Sequence, residues 1–290
     1  MNTEISASAS WRLAALRWNL ITKTLLVLGR IQAAIQSGRE LLQNIRQHEN
    51  DKQNGRLTPE QIAKLTAYQV SRVGGDYRKR IKYEITEEAL AKPLDKMPMQ
   101  HKGASLLERV LKDNPTIRSV ANIGARVDVT SSYLARKFPN VTFTSIDFQP
   151  DLKGHNAPLP QSPNWHFMTG YALDLIERGE IAPDLVFMTS TACLFSSREM
   201  DEFVAVWAKA SVRYVVLNEP WWPKLKTLDL RITLPEQVPV DDPYCSGKHG
   251  HYHYNYAAKL ARGGYKTTFS RLIAGPERGC YCLQMIANAG

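Results

Sequence analysis

The sequence predicts an α/β protein: a doubly wound seven-stranded sheet, mostly parallel with an antiparallel C-terminal hairpin strand, preceded by an N-terminal helical region. Three observations predict it. After Pro115 short apolar runs alternate with helical patterns, as in a parallel sheet covered by helices. The first run leads into a glycine turn at Gly124, and the next ends on an acid, Asp147, the arrangement of the mononucleotide-binding half of such a sheet. Near the end, two β-type runs at 266–273 and 280–286 are separated only by 274–279, a linker too short for a parallel crossover, so they form a hairpin.

In order along the chain, residues 11–48 carry Leu13, Leu16, Leu20, Leu28, Ile31, Ile35, Leu42 and Ile45 at spacings of three, four or their sums. That period is one long or two shorter amphipathic helices, with Gly29 and Gly38 as weak points. Thr58 caps the next helix and Pro59 occupies its first position, where a missing N–H costs nothing; Gly74 and Gly75 end it. We divide the chain into a basic helical region over 1–114 and a sheet domain over 115–290. The expected strands of the sheet are 119–123, 141–146, 165–168, 184–188 and 213–217. Thr130 is the expected cap of the helix running to Phe138. Ser196 and Glu199 form a capping box ahead of Met200, Phe203, Val206 and Trp207. The connection 218–248 holds five prolines with Trp221 and Trp222; a loop of that length reads as a lid or binding loop whose tryptophans line an acceptor pocket. A helix from about Tyr252 to Arg262 then stops at Gly263 and Gly264.

The 290 residues carry a net charge of +9, which raises a nucleic-acid or anionic-membrane partner. Residues 1–117 hold 19 basic and 12 acidic residues, against 18 and 16 from Arg118 onward. The excess therefore sits on the helical region, including the basic run 78–82, and fits a solvated face or a membrane surface as well as RNA. No run approaches the roughly 18 apolar residues of a spanning helix. Cysteines 193, 245, 280 and 282 form no C-x-x-C pair and are too few to staple the chain, so a reduced, cytoplasmic compartment is expected. The first thirty residues have the composition of a transit peptide with one acid, Glu4, but helical periodicity continues past them and we read them as mature protein.

Asn122-Ile123-Gly124-Ala125-Arg126-Val127-Asp128, Asp147 in TSIDFQP, and the terminal hairpin together resemble class I S-adenosylmethionine-dependent methyltransferases over about 115–290. Nicotinamide-dependent dehydrogenases continue with parallel strands and a full G-x-G-x-x-G, and neither is present. The resemblance implies S-adenosyl-L-methionine as cofactor. It places Asn122, Gly124 and Ala125 at the cofactor turn, Asp147 with Phe148 at the ribose, Gly170, Tyr171 and Ala172 at the adenine, and Thr189 beside the transferred methyl. The chain departs from the family pattern at Asn122, where the family has an acid that helps hold the cofactor's ammonium, at Arg126 and Asp128, which replace glycines, and at Tyr171. Met188-Thr189-Ser190-Thr191 is not the N-P-P-Y type of amide or base-nitrogen methylating members.

For the chemistry, His249, His251 and His253 alternate in KHGHYHYNY and share one face if extended. The spacing fits no standard zinc pattern, so no metal is expected, and His251 or His253, with Glu219, are the candidate catalytic groups: hydroxyl methylation is an in-line displacement in which a nearby base takes the proton. The favoured function is methyl transfer to a small hydroxylated acceptor such as a sugar, with the N-terminal helices covering the pocket or forming a homodimer. The alternatives are a non-catalytic methyltransferase-like fold used for assembly or peripheral membrane attachment, and an RNA methyltransferase.

Overall fold

A computed structural model of the chain describes residues 85–148, 154, 156–221, 234–241, 243–246, 251–274 and 281–290. The expected helices before residue 85, the basic run 78–82, Trp222, His249 and Cys280 lie outside the described residues. The chain divides into two compact units, 1–51 and 52–290, and the described residues belong to the second.

Seven strands form one sheet in the order β3-β2-β1-β4-β5-β9-β8: β1 (Ser119–Ile123), β2 (Thr142–Asp147), β3 (Trp165–Thr169), β4 (Leu185–Thr189), β5 (Tyr214–Trp221), β8 (Tyr265–Ala274) and β9 (Tyr281–Ala289). The pairs among β1 to β5 are parallel, while β9 is antiparallel to both β5 and β8. The expected hairpin is therefore present, its second strand inserted between β5 and its first. A separate two-stranded ribbon pairs β6 (Tyr244–Ser246) with β7 (His251–His253).

Each central strand is apolar on both faces because helices cover both. On one face α1 (Glu87–Leu90), α2 (Met99–Asp113) and α3 (Val129–Lys137) bury Leu107, Val110 and Leu134 against Val120, Phe143, Phe187 and Val216. On the other, α4 (Ala172–Glu177), α5 (Ser197–Lys209) and α6 (Tyr256–Arg262) bury Leu173, Phe203, Trp207 and Leu260 against Ile123, Met188, Leu217 and Met285. The expected capping box opens α5: Ser196 Oγ accepts from the Glu199 N–H at 3.2 Å, and the Glu199 carboxylate accepts from the Ser196 N–H at 2.7 Å.

Three expectations change. The cap of α3 is Asp128, whose carboxylate accepts from the Ser131 N–H at 2.8 Å, two residues before the expected Thr130. The stretch Asn218 to Trp221 is the end of β5 rather than the start of a loop, and Trp221 is wholly buried in the α5–α6 core. Residues 251–253 are strand; α6 starts only at Tyr256, capped by the Asn255 side chain.

Candidate active site

The carboxyl ends of β1 to β4 lie side by side because the strands are paired in register, Ile123 opposite Ile146 and Met188, and Asp147 opposite Thr169. Ligands of open parallel sheets bind along this edge. At its centre the chain leaves β1 through Gly124 at φ +72° and Arg126 at φ +44°. The N–H groups of Gly124 and Ala125 both donate to the Ile146 carbonyl, at 2.8 and 3.1 Å, so the turn is bolted to the neighbouring strand. A Cβ on Gly124 would stand 2.4 Å from Thr191 Cγ2; glycine is needed here both for the backbone angle and for this close approach.

Asp147 ends β2 beside the turn and is buried, with Oδ2 accepting from the Arg126 N–H at 3.0 Å. That bond fixes the carboxylate's direction against the turn. Gly170 follows β3, its N–H donating to the Asp147 carbonyl at 2.9 Å, and leads to Tyr171 and Ala172 at the start of α4. The Tyr171 hydroxyl donates to Glu199 at 3.3 Å and its ring meets Phe203 edge-on, so this aromatic is anchored to α5. Phe148 is half-buried at the same strand end as Asp147.

Two of the expected cofactor residues face inward. Asn122 Nδ2 donates to Asp128 Oδ2 at 2.8 Å, and Thr189 Oγ1 lies under α2, 2.7 Å from where a Cβ on Gly103 would stand. Asp128 is the hub of a buried network that the glycine pattern does not reveal. It accepts from Asn122, the Ser131 N–H and Ser145 Oγ, the last at 2.5 Å, while Ser145 in turn accepts from Trp165 Nε1 at 2.8 Å. A carboxylate offers about four acceptor positions, and burial pushes its pKa up despite these donors. Its work is to hold the turn, α3 and β2 together. The signal for it was in the sequence: an Asp three residues before a Ser at a helix start is an N-cap pattern.

The three candidate catalytic groups gather beyond β4 and β5. Glu219 is fully buried and accepts from the Thr191 and Cys193 N–H groups, at 3.2 and 3.1 Å, capping the short turn Ala192–Leu194. Burial raises its pKa to about 7 against these lowering donors. His253 is also buried, its ring edge-on to Trp221 at 5.1 Å; burial first, then the neighbouring His251, lowers its pKa to about 3. His251 is half-buried on the same ribbon. The ribbon packs onto the 192–194 turn that Glu219 caps, so the structure brings these three residues into one neighbourhood. Among the described residues no three His, Cys, Asp or Glu converge on a position that could hold a metal ion.

The two perturbed groups oppose each other in pH. Glu219 holds its proton more tightly when folded, so the stability it provides is complete below its ordinary pKa of 4.5 and is lost as pH rises through about 7. His253 resists protonation when folded, so its contribution is complete above 6.5 and is lost as pH falls through about 3. We expect Glu219→Gln to remove the first dependence only. In urea titrations the stability difference between variant and wild type should then grow in the variant's favour from pH 4.5 to 7 and be constant below 4.5; a difference independent of pH would show that folding does not shift the Glu219 pKa.

No protein-family model matches the sequence, and no curated protein sequence does. Solved structures do resemble the fold. One is 1,6-didemethyltoxoflavin-N1-methyltransferase of Burkholderia thailandensis with bound 1,6-didemethyltoxoflavin and S-adenosylhomocysteine, at 14% identity over 81% of this chain and 92% of that one, with a TM-score of 0.51. Another is magnesium protoporphyrin IX methyltransferase of Synechocystis PCC 6803 with bound S-adenosylhomocysteine, at 15% identity over 79% and 100%, with a TM-score of 0.50. With the strand order, the inserted antiparallel β9 and the glycine turn at the end of β1, the chain has the fold of the class I S-adenosylmethionine-dependent methyltransferases.

Proposed function

We propose that the chain is an S-adenosylmethionine-dependent methyltransferase acting on a small hydroxylated acceptor, with a sugar ring as the favoured class. The observation that carries this reading is the pairing of the Gly124 turn with the Asp147 carboxylate, held 3.0 Å from the turn's own Arg126 N–H at the carboxyl edge of the sheet. The residues fit the cofactor: an open backbone turn before a helix N-terminus, a fixed acid for the ribose hydroxyls, and the Gly170–Ala172 segment one strand away. The cofactor supplies a sulfonium methyl. Transfer of that methyl to an acceptor oxygen would be an in-line displacement, in which this chain's part is to align the acceptor and to take its hydroxyl proton.

Of the candidate groups, His253 is neutral but too weak a base at a pKa of about 3, and Glu219 is occupied with the 192–194 turn. His251, half-buried on the ribbon two residues from His253, is the base in this reading. The favoured acceptor rests on elimination, because the 188–191 segment lacks the amide-methylating motif.

Isothermal titration of the full chain with S-adenosylhomocysteine tests the reading. Saturable binding is expected, and Asp147→Ala should weaken it by roughly 10- to 100-fold, the loss of about 1.5–3 kcal/mol for hydrogen bonds to a charged group. No heat at millimolar ligand would overturn it.

A further inference from the structure

The turn that follows β4 touches the turn that follows β1. Thr191 is buried, and its Cγ2, Oγ1 and Cβ stand 2.4, 2.5 and 3.0 Å from where a Cβ on Gly124 would be. The Thr191 side chain is therefore the wall behind the Gly124 turn, whose Arg126 N–H also fixes Asp147. Glu219 holds that wall in place. One of its carboxylate oxygens accepts from the Thr191 N–H at 3.2 Å and the other from the Cys193 N–H at 3.1 Å. Glu219 is itself firmly placed: it shares the α5–α6 face of β5 with Leu217 and Trp221 and pairs with Leu283 of β9, while β4 has ended at Thr189 opposite Asn218.

The backbone of this turn needs such a hold. Ser190 stands at φ +54°, a left-handed conformation that is unfavourable for a residue with a Cβ and persists where its surroundings over-determine it. The Ser190 N–H donates at 3.1 Å to the carbonyl of Asn218, the residue before Glu219 on β5. The end of β5 thus grips residues 190, 191 and 193, and strain of this kind gathers at binding and catalytic sites. An ionised carboxylate has acceptors for both N–H groups, whereas a protonated carboxyl carries an O–H donor on one oxygen and accepts less strongly there. Burial pushes the Glu219 pKa up to about 7, so the two forms exchange in the neutral range.

We propose that Glu219 is a positioning residue for cofactor binding: as a carboxylate it seats Thr191 against Gly124, and taking up a proton loosens that seat. This rests on the reading that the Gly124 turn holds S-adenosylmethionine, and adds that affinity for it rises with pH. The other titratable groups on the elements around Glu219 are Cys193, whose thiol also donates to it, His251 and His253 on the ribbon, and Glu199, Asp201 and Lys259 on α5 and α6. Glu199 is engaged with the Ser196 N–H and Asp201 with Lys259. His253 stays neutral across this range, and His251 is separated from Glu219 by substitution.

The test titrates the full chain with S-adenosylhomocysteine in a calorimeter at pH 6 and pH 8 and fixed ionic strength. Wild-type affinity should be about fivefold lower at pH 6, the change expected when protonation of a group with that pKa costs roughly tenfold. Glu219→Gln should bind roughly tenfold more weakly than wild type at pH 8 and show no pH dependence. Thr191→Ala keeps the backbone bonds to Glu219 and should also lose the pH dependence, so the test stands if Glu219→Gln fails to fold. His251→Gln should retain it. Equal wild-type affinity at the two pH values, a pH dependence that persists in Glu219→Gln or Thr191→Ala, or one that disappears in His251→Gln would overturn the positioning role while leaving cofactor binding in place. No binding at either pH would overturn both.

Discussion

Asp128→Ala is expected to lower the unfolding free energy by about 4 kcal/mol, read from urea denaturation with an unchanged slope. The side chain is 2% exposed and is the shared acceptor for Asn122, Ser145 and the Ser131 N–H. Removing it strands two buried side-chain donors, Asn122 and Ser145, each costing on the order of 1–3 kcal/mol, and abolishes the N-cap bond to the Ser131 N–H, worth about 1 kcal/mol. Asp128→Asn keeps one oxygen for the helix end and should cost about half as much. If alanine costs less than about 1 kcal/mol, the network is not holding the turn. Asn122 also acquires a different meaning here: in the family pattern that position is an acid, whereas in this chain the acid stands six residues later and Asn122 serves it.

Gly124→Ala is expected to reduce S-adenosylhomocysteine affinity by roughly 5- to 150-fold, equivalent to about 1–3 kcal/mol. A Cβ there would stand 2.4 Å from Thr191 Cγ2 and 2.5 Å from Thr191 Oγ1, and Thr191 is a short buried side chain whose N–H is held by Glu219. The positive φ adds about 1–2 kcal/mol of its own. The double variant Gly124→Ala/Thr191→Ala separates the two causes. It removes both close contacts and should recover the steric share while the backbone strain persists. A double variant no better than the single one would assign the whole effect to φ. Calorimetry gives the affinity and thermal denaturation the stability in each case.

Much of the fold was legible because it depends on the period of apolar residues. The runs at 119–123 and 184–188 are buried on both faces, so they stand out as continuous apolar stretches, and a short linker at 274–279 admits only a hairpin. The errors came from reading residues by type alone. Pro220 suggested a loop, yet β5 continues to Trp221 along β9. Backbone groups alternate sides in a strand, so Pro220 shares the side on which the Asn218 carbonyl accepts from the Ser190 N–H, and β4 has ended by then. A missing N–H on that side breaks no ladder bond. Asp128 was read as a lost glycine, although its position three residues before Ser131 marked a cap. The sequence reading starts a helix at about Tyr252, whereas residues 251–253 pair with 244–246 as strand and the helix begins only at Tyr256. No sequence pattern announced that α2 would lay Lys102 and Arg109 along β8, because that pairing joins segments more than 150 residues apart.

The insertion of β9 between β5 and β8 imposes an order on assembly. As the chain is made, β8 emerges before the strand that alone connects it to the sheet, and β5 presents an open edge until β9 is available. During that interval the Tyr214–Trp221 edge can pair with another chain as readily as with its own. The register Val216 with Ile286 and Leu217 with Met285 is long-range in sequence, and such pairings form slowly because loop closure precedes their reward. Docking of β9 is therefore the step at which productive folding competes with aggregation.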